Sequence, residues 1–367
     1  MHTTMKGFIS MKVFLCFLLL ASLAASMGCS NASYICKLGW HQAHISFHSV
    51  PVEEVLADKR VTPEIQEKIR FIQEVKKFGE ERLGLKKTKN YSRYYEVDGP
   101  ILYVVTASQK DDLKLFRWSF PIVGEVTYKG FFTRQGAKEE KKELDEKDFD
   151  TYLRPAEAYS TLGWLGDPIF SSMADWDEET LANLILHEMT HATIYWKGKT
   201  DFNEQVATFI GNHGAIDFLT ERYGADSKEV VHAAECQEDD LLFSKWIDQA
   251  CGRLSKWYGQ RTSREEKLKG REEIFQALRK EFGEMKSRFK TGGYRRFDLM
   301  PLNNAFLMAH REYFHRLEAF EQLYESLGRD LRSVIGWMKE IPRSEEPRSY
   351  LDRWVGKKGL SASSSPR

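Results

Sequence analysis

Histidine is scarce in this chain, ten in 367 residues, yet two stand four apart in His187-Glu188-Met189-Thr190-His191. That spacing constrains the fold more than any other feature. Positions i and i+4 share one helix face, so a helix here brings both imidazoles to one point, where they can hold one metal ion. Glu188 sits beside the first histidine and can act as general base for a water at that ion. Glu204, after a short polar turn, can supply a third ligand from a following helix. Three protein ligands and an open position make a catalytic rather than a structural site, and two imidazoles with one carboxylate suit zinc. Two other readings stay open. The histidines can be an ordinary half-buried pair, and Asp201-Phe202-Asn203-Glu204 has the spacing of a capping box, in which Glu204 caps its own helix.

The flanks favour helices. Asp175, Asp177, Glu178 and Glu179 suit a helix N-terminus, where the macrodipole favours anions. Leu181, Leu184 and Ile185 follow at helical spacing, Ala192 and Tyr195 continue it, and Lys197-Gly198-Lys199 supplies a helix end. Asn203 to Tyr223 reads as a second helix closed by Gly224. Upstream, Pro51-Val52 begins a helix, and Thr62-Pro63-Glu64 begins another with Thr62 as cap and an apolar stripe of Ile65, Ile69, Ile72, Val75 and Phe78. Residues 91–170 change character. Ile101 to Ala107, Leu115 to Phe120, Val123 to Phe132, Thr151 to Leu153 and Ala158 to Gly163 read as strands, with a charged, solvated helix face over Glu139 to Asp148. After Gly224 the pattern predicts helices near 227–257, 263–290, 303–327 and 329–340, then a disordered Ser-rich tail over 357–367. The fold class is α+β: predominantly helical and zincin-like, with a small mixed or antiparallel sheet packed on the H-E-x-x-H helix.

Composition narrows the function. Lys plus Arg and Asp plus Glu number 54 each, and no basic block with interleaved aromatics appears, which argues against nucleic acid as a partner. Neither a Rossmann nor a Walker glycine pattern is present. Lys12 and the apolar run Val13 to Ala25 look like a signal peptide over residues 1–29, too short to span a bilayer comfortably; an uncut anchor is the alternative. Gly28-Cys29-Ser30-Asn31 resembles a lipoprotein cleavage site, with Ser26 where Leu is usual, so membrane attachment through lipid on Cys29 is expected. The implied localisation is exported, periplasmic and lipid-anchored. Cys236 and Cys251 either pair, as oxidising conditions allow, or remain free buried thiols.

Ordered landmarks then carry a family resemblance. They are Val55-Leu56-Ala57-Asp58, Glu80-Glu81-Arg82-Leu83-Gly84-Leu85, Phe120-Pro121-Ile122-Val123-Gly124 and Tyr128-Lys129-Gly130-Phe131-Phe132. Further along come Ala158-Tyr159-Ser160-Thr161-Leu162-Gly163-Trp164, Asp167-Pro168-Ile169, the His187 to Tyr195 core, Thr200 to Thr208, and Asn303-Asn304-Ala305. In these the chain resembles the bacterial predicted aminopeptidase family, gluzincin-type zinc metallopeptidases that are often lipoproteins. The resemblance implies a single metallopeptidase domain over 30–356, divided into a helical and sheet part (30–170), the metal-binding helices (171–224) and a helical part (225–356). It also implies one Zn2+ on His187, His191 and Glu204, with Glu188 as base, acting on a peptide or protein substrate. Thr208 stands where better-known gluzincins often carry an acidic residue that supports a ligand histidine. The oxyanion needs a second donor, and Tyr159 leads Tyr128, Tyr313 and His310 as candidates. The G-x-M-E-N motif of well-known gluzincin aminopeptidases is absent, which leaves exopeptidase and endopeptidase action open. A metal-binding scaffold or chaperone-like module without peptidase activity is the alternative class.

Overall fold

The computed structural model describes residues 29–120, 124–156 and 166–363. The signal-segment expectation therefore lies outside the described residues, apart from Cys29, the first residue of helix α1 (Cys29–His48). Helix α1 belongs to one compact unit ending at Ser49, and a second unit begins at Val50. Among the described residues no helix is long and apolar enough to cross a membrane.

The second unit opens with β1 (Val50–Pro51), α2 (Val52–Ala57) and α3 (Pro63–Glu81). Thr62 caps α3 as its sequence predicts, accepting the Ile65 N–H, and Ile69, Ile72, Val75 and Phe78 are buried. Then come β2 (Arg93–Tyr95), β3 (Leu102–Gln109), β4 (Trp118–Phe120), β5 (Gly124–Val126) and β6 (Tyr128–Phe131). Helix α4 (Arg134–Glu146), β7 (Phe149–Ala156) and β8 (Ile169–Phe170) complete this part. Among the described residues the strands form three small sheets rather than one. The largest, ordered β6-β3-β7, is antiparallel, and Val104 stands between Gly130 and Arg154. The others are β1-β2-β8 and the β4-β5 hairpin. Period-two alternation turns Val105 and Ala107 toward Ala137 and Leu144 of α4, all fully buried or nearly so. The strand expected over Ala158 to Gly163 lies outside the described residues.

Eight helices follow: α5 (Glu178–Thr193), α6 (Thr200–Tyr223), α7 (Lys228–Tyr258), α8 (Arg264–Met285), α9 (Asn304–Phe314), α10 (Glu318–Ser326), α11 (Leu331–Lys339) and α12 (Pro347–Ser363). Two expectations need correction. The single helix expected near 303–327 breaks between α9 and α10, where Arg316 has φ 54°, a left-handed conformation that no helix interior tolerates. Helix α12 runs from Pro347 to Ser363. Its start is anchored by buried Leu351 and by Tyr350 and Trp354 against Trp337, and extending a nucleated helix costs little. Nor does the β6-β3-β7 sheet pack chiefly on the H-E-x-x-H helix: it packs on α4 and α9, while α5 packs on α6, α3 and α7.

Close approach of α5 and α6 has a visible cause. A Cβ at Gly211 would stand 2.6 Å from Asn183 Oδ1 and 3.0 Å from the Asn183 carbonyl oxygen, and one at Gly214 would stand 2.7 Å from Leu186 Cδ1. Helix α9 is fixed at its start by Asn303, which caps it, and by Asn304, whose N–H donates to Asp150 and whose Nδ2 donates to the Gln109 carbonyl. The Asn303-Asn304 landmark is thus a clamp between helix and sheet. Cys236 and Cys251 are both free. They lie on one helix, about 22 Å apart along its axis at 1.5 Å per residue, so they cannot pair.

Candidate metal centre

Local sequence places the ligands. Asp177 caps α5 by accepting the Thr180 N–H at 2.8 Å, and the helix then presents His187 and His191 one turn apart on the face toward α6. The turn between the helices is tied by Asn203, which accepts the Trp196 N–H at 2.9 Å and donates to the Trp196 carbonyl at 2.8 Å. That double bond fixes where Glu204 enters. Helix α6 starts at Thr200 with Lys199 as N-cap, so Asp201 is not a cap and Glu204 is no partner in a capping box.

The three side chains converge. His187 Nε2 and His191 Nε2 are 3.1 Å apart, and Glu204 Oε2 lies 3.3 Å from the first and 3.4 Å from the second. Tetrahedral coordination with ligand bonds of about 2.0–2.1 Å places ligand atoms about 3.3 Å from one another, so this triangle fits zinc. Among the described residues this is the group able to hold a metal ion. His191 and Glu204 are buried, which excludes competing water. Burial alone would lower His191; the Glu204 carboxylate overrides it and raises the imidazole to about 9. Burial would raise Glu204, and the two imidazoles instead hold it well below the usual carboxylate range. A metal ion bound there would displace the His191 proton. Glu188 Oε2 is buried without a hydrogen-bond partner among the described residues. His191 Nδ1 also lacks a partner, and Thr208, though buried, gives it none.

Of the three oxyanion candidates among the described residues, two reach the centre. Tyr128, on β6, donates to Glu204 Oε1 at 3.4 Å. Tyr313, on α9, stacks on the His187 ring with centroids 6.3 Å apart. The Glu204 carboxylate and burial push the Tyr128 phenol well up, and burial followed by Glu204 does the same to Tyr313, so both keep their protons. His310 sits instead among Tyr152, Phe243, Phe297 and Phe306. Burial lowers it to about 4 and leaves it neutral. Tyr159 lies outside the described residues.

Two charged groups at the centre escaped sequence reasoning. Arg154 Nη2, on β7, donates to Tyr313 Oη at 3.3 Å. Glu312, on α9 next to Tyr313, is buried with Oε1 unbonded, and burial pushes its carboxyl up to about 8. Nothing in their local sequence distinguishes them. Only the pairing of β7 with the Phe306, His310, Tyr313 face of α9 brings them to the site.

A family model described as "Putative aminopeptidase" matches residues 33–350, which include every residue of this centre. No curated protein and no solved structure matches the chain. With most of its length matched, metal ligands and tyrosines included, the chain belongs to the Putative aminopeptidase family.

Proposed function

We propose that the chain is a zinc-dependent peptidase that removes N-terminal residues from peptides. The observation that carries this reading is the buried triangle of His187, His191 and Glu204 with the unbonded Glu188 oxygen beside it. Zinc held there would lower the pKa of a water toward neutrality and polarise the scissile carbonyl. Glu188 accepts the attacking water's proton and returns it to the leaving amine. The Tyr313 hydroxyl, kept protonated and set against His187, donates to the developing oxyanion. Tyr128 holds the far oxygen of Glu204, leaving Oε2 toward the histidines. The Gly28-Cys29 site supports export and lipid attachment, with acylated Cys29 tethering the catalytic unit to a membrane.

Glu188→Gln tests the assignment. It keeps size and polarity but removes the base, so zinc content and melting temperature should stay while turnover falls by about 10²–10⁴-fold. A Glu188→Gln protein that cleaves peptides at the wild-type rate would remove Glu188 from this role. A wild-type protein that binds zinc and cleaves no peptide would favour the scaffold reading.

A further inference from the structure

Beside the metal centre sits a cation that has no counter-ion among the described residues. Arg154 is half-buried on β7, facing α9 together with Tyr152. Among the described residues its guanidinium donates to Tyr313 Oη at 3.3 Å, with the guanidinium carbon 5.9 Å from that ring's centroid. It forms no ion pair with a carboxylate of the described residues. A guanidinium carries five donors in a rigid fork, so most of this one is unused. Arg271 shows how the same fold treats a structural arginine: buried, it grips Asp150 with two bonds of 2.9 and 3.1 Å. Burial disfavours the Arg154 cation, but a guanidinium stays charged, and the Tyr313 hydroxyl oxygen accepts from it. Glu312 acts on it from beyond ion-pair distance, and a carboxyl pushed up to about 8 supplies little counter-charge at neutral pH. A half-buried cation with few acceptors has lost part of its hydration, and that cost is recovered when an anion arrives.

We propose that Arg154 receives a carboxylate of the substrate, so that the preferred substrates are short peptides carrying one close to the scissile bond. The inference rests on the peptidase reading of the same centre. Arg154 stands one tyrosine away from His187, a span that a di- or tripeptide covers. Two carboxylate sources share this chemistry, the C-terminus of a short peptide and an acidic side chain. Fork-to-carboxylate pairing adds direction as well as attraction.

The test uses the zinc-loaded full chain with Leu-Gly, Leu-Gly amide and Leu-Glu amide. Wild type is compared with Arg154→Gln and Arg154→Lys, after zinc content and melting are checked for each. A charge-assisted bond of the usual strength predicts a preference for Leu-Gly over its amide of about 10- to 100-fold in kcat/KM, expressed in KM. Arg154→Gln should collapse that ratio toward one, and Arg154→Lys should restore part of it. If Leu-Glu amide rather than Leu-Gly carries the preference, the carboxylate comes from a side chain. Equal losses on all three peptides would mean that Arg154 only supports Tyr313, and the proposal falls. Calorimetric binding to the Glu188→Gln protein separates the two readings. Selective binding of a carboxylate peptide, lost on adding Arg154→Gln, sustains the anion site even if wild type hydrolyses nothing. Equal affinity for acid and amide overturns it whatever the turnover.

Discussion

Gly211→Ala should destabilise the protein, although the same change elsewhere in its helices should stabilise it. Alanine in a helix interior gains about 1 kcal/mol over glycine. At Gly336 of α11 nothing lies within 4 Å of the added Cβ, so that gain should appear undiminished. At Gly211 the Cβ meets Asn183 Oδ1 at 2.6 Å and the Asn183 carbonyl oxygen at 3.0 Å. The side-chain oxygen could swing aside only by disturbing the Asn183 amide, which donates to Asn212 Oδ1 at 2.6 Å; the carbonyl moves only with α5. Overpacking of this kind costs about 1–3 kcal/mol, so the net effect is a loss of up to about 2 kcal/mol at Gly211 against a gain of about 1 at Gly336. Because α5 carries two ligands and α6 the third, Gly211→Ala should also weaken zinc binding, by about tenfold if it behaves like other changes that misplace ligands. Urea unfolding and zinc titration of both variants measure this. Equal stabilisation in the two, with zinc affinity unchanged, would refute the claim that helix contact at Gly211 sets the ligand geometry.

Asp150→Asn should cost about 3–5 kcal/mol by stranding buried Arg271. Arg117→Ala, which loses only an exposed 3.9 Å pair with Glu125, should cost less than about 1 kcal/mol in the same unfolding assay. Glu312 has its folded pKa raised to about 8, so its stabilising contribution is full below the unfolded carboxyl range and is lost as pH rises through 8. The stability of Glu312→Gln relative to wild type, measured without metal, should therefore improve between pH 4 and pH 9, by at most about 5 kcal/mol; a pH-independent difference would count against the raised pKa. Reductant should leave the melting temperature unchanged, because Cys236 and Cys251 cannot bridge; a drop on reduction would contradict their placement on α7.

The sequence made the ligand helix legible because its signals are local. The i,i+4 histidines, the Asp177 cap and the apolar spacing all act within one helix. Glu204 was half-legible: its spacing served both a ligand and a capping box, and only the start of α6 at Thr200 removes the capping box. The strands were visible individually, yet their division into three sheets depends on pairings such as Val104 with both Gly130 and Arg154, which alternation does not encode. Arg154 and Glu312 were invisible for the same reason. A lone arginine on a strand and a lone glutamate on a helix read as solvated charges until β7 meets α9. Arg316 broke an expected helix because its left-handed backbone carries no glycine to announce it.

The central claim is that His187, His191 and Glu204 hold one zinc ion. Elemental analysis of the purified chain beside its His187→Ala variant tests it most directly. The account predicts about one zinc per wild-type chain and a large loss in the variant, with the fold retained. No zinc in either protein after zinc is supplied, or equal zinc in both, would contradict it.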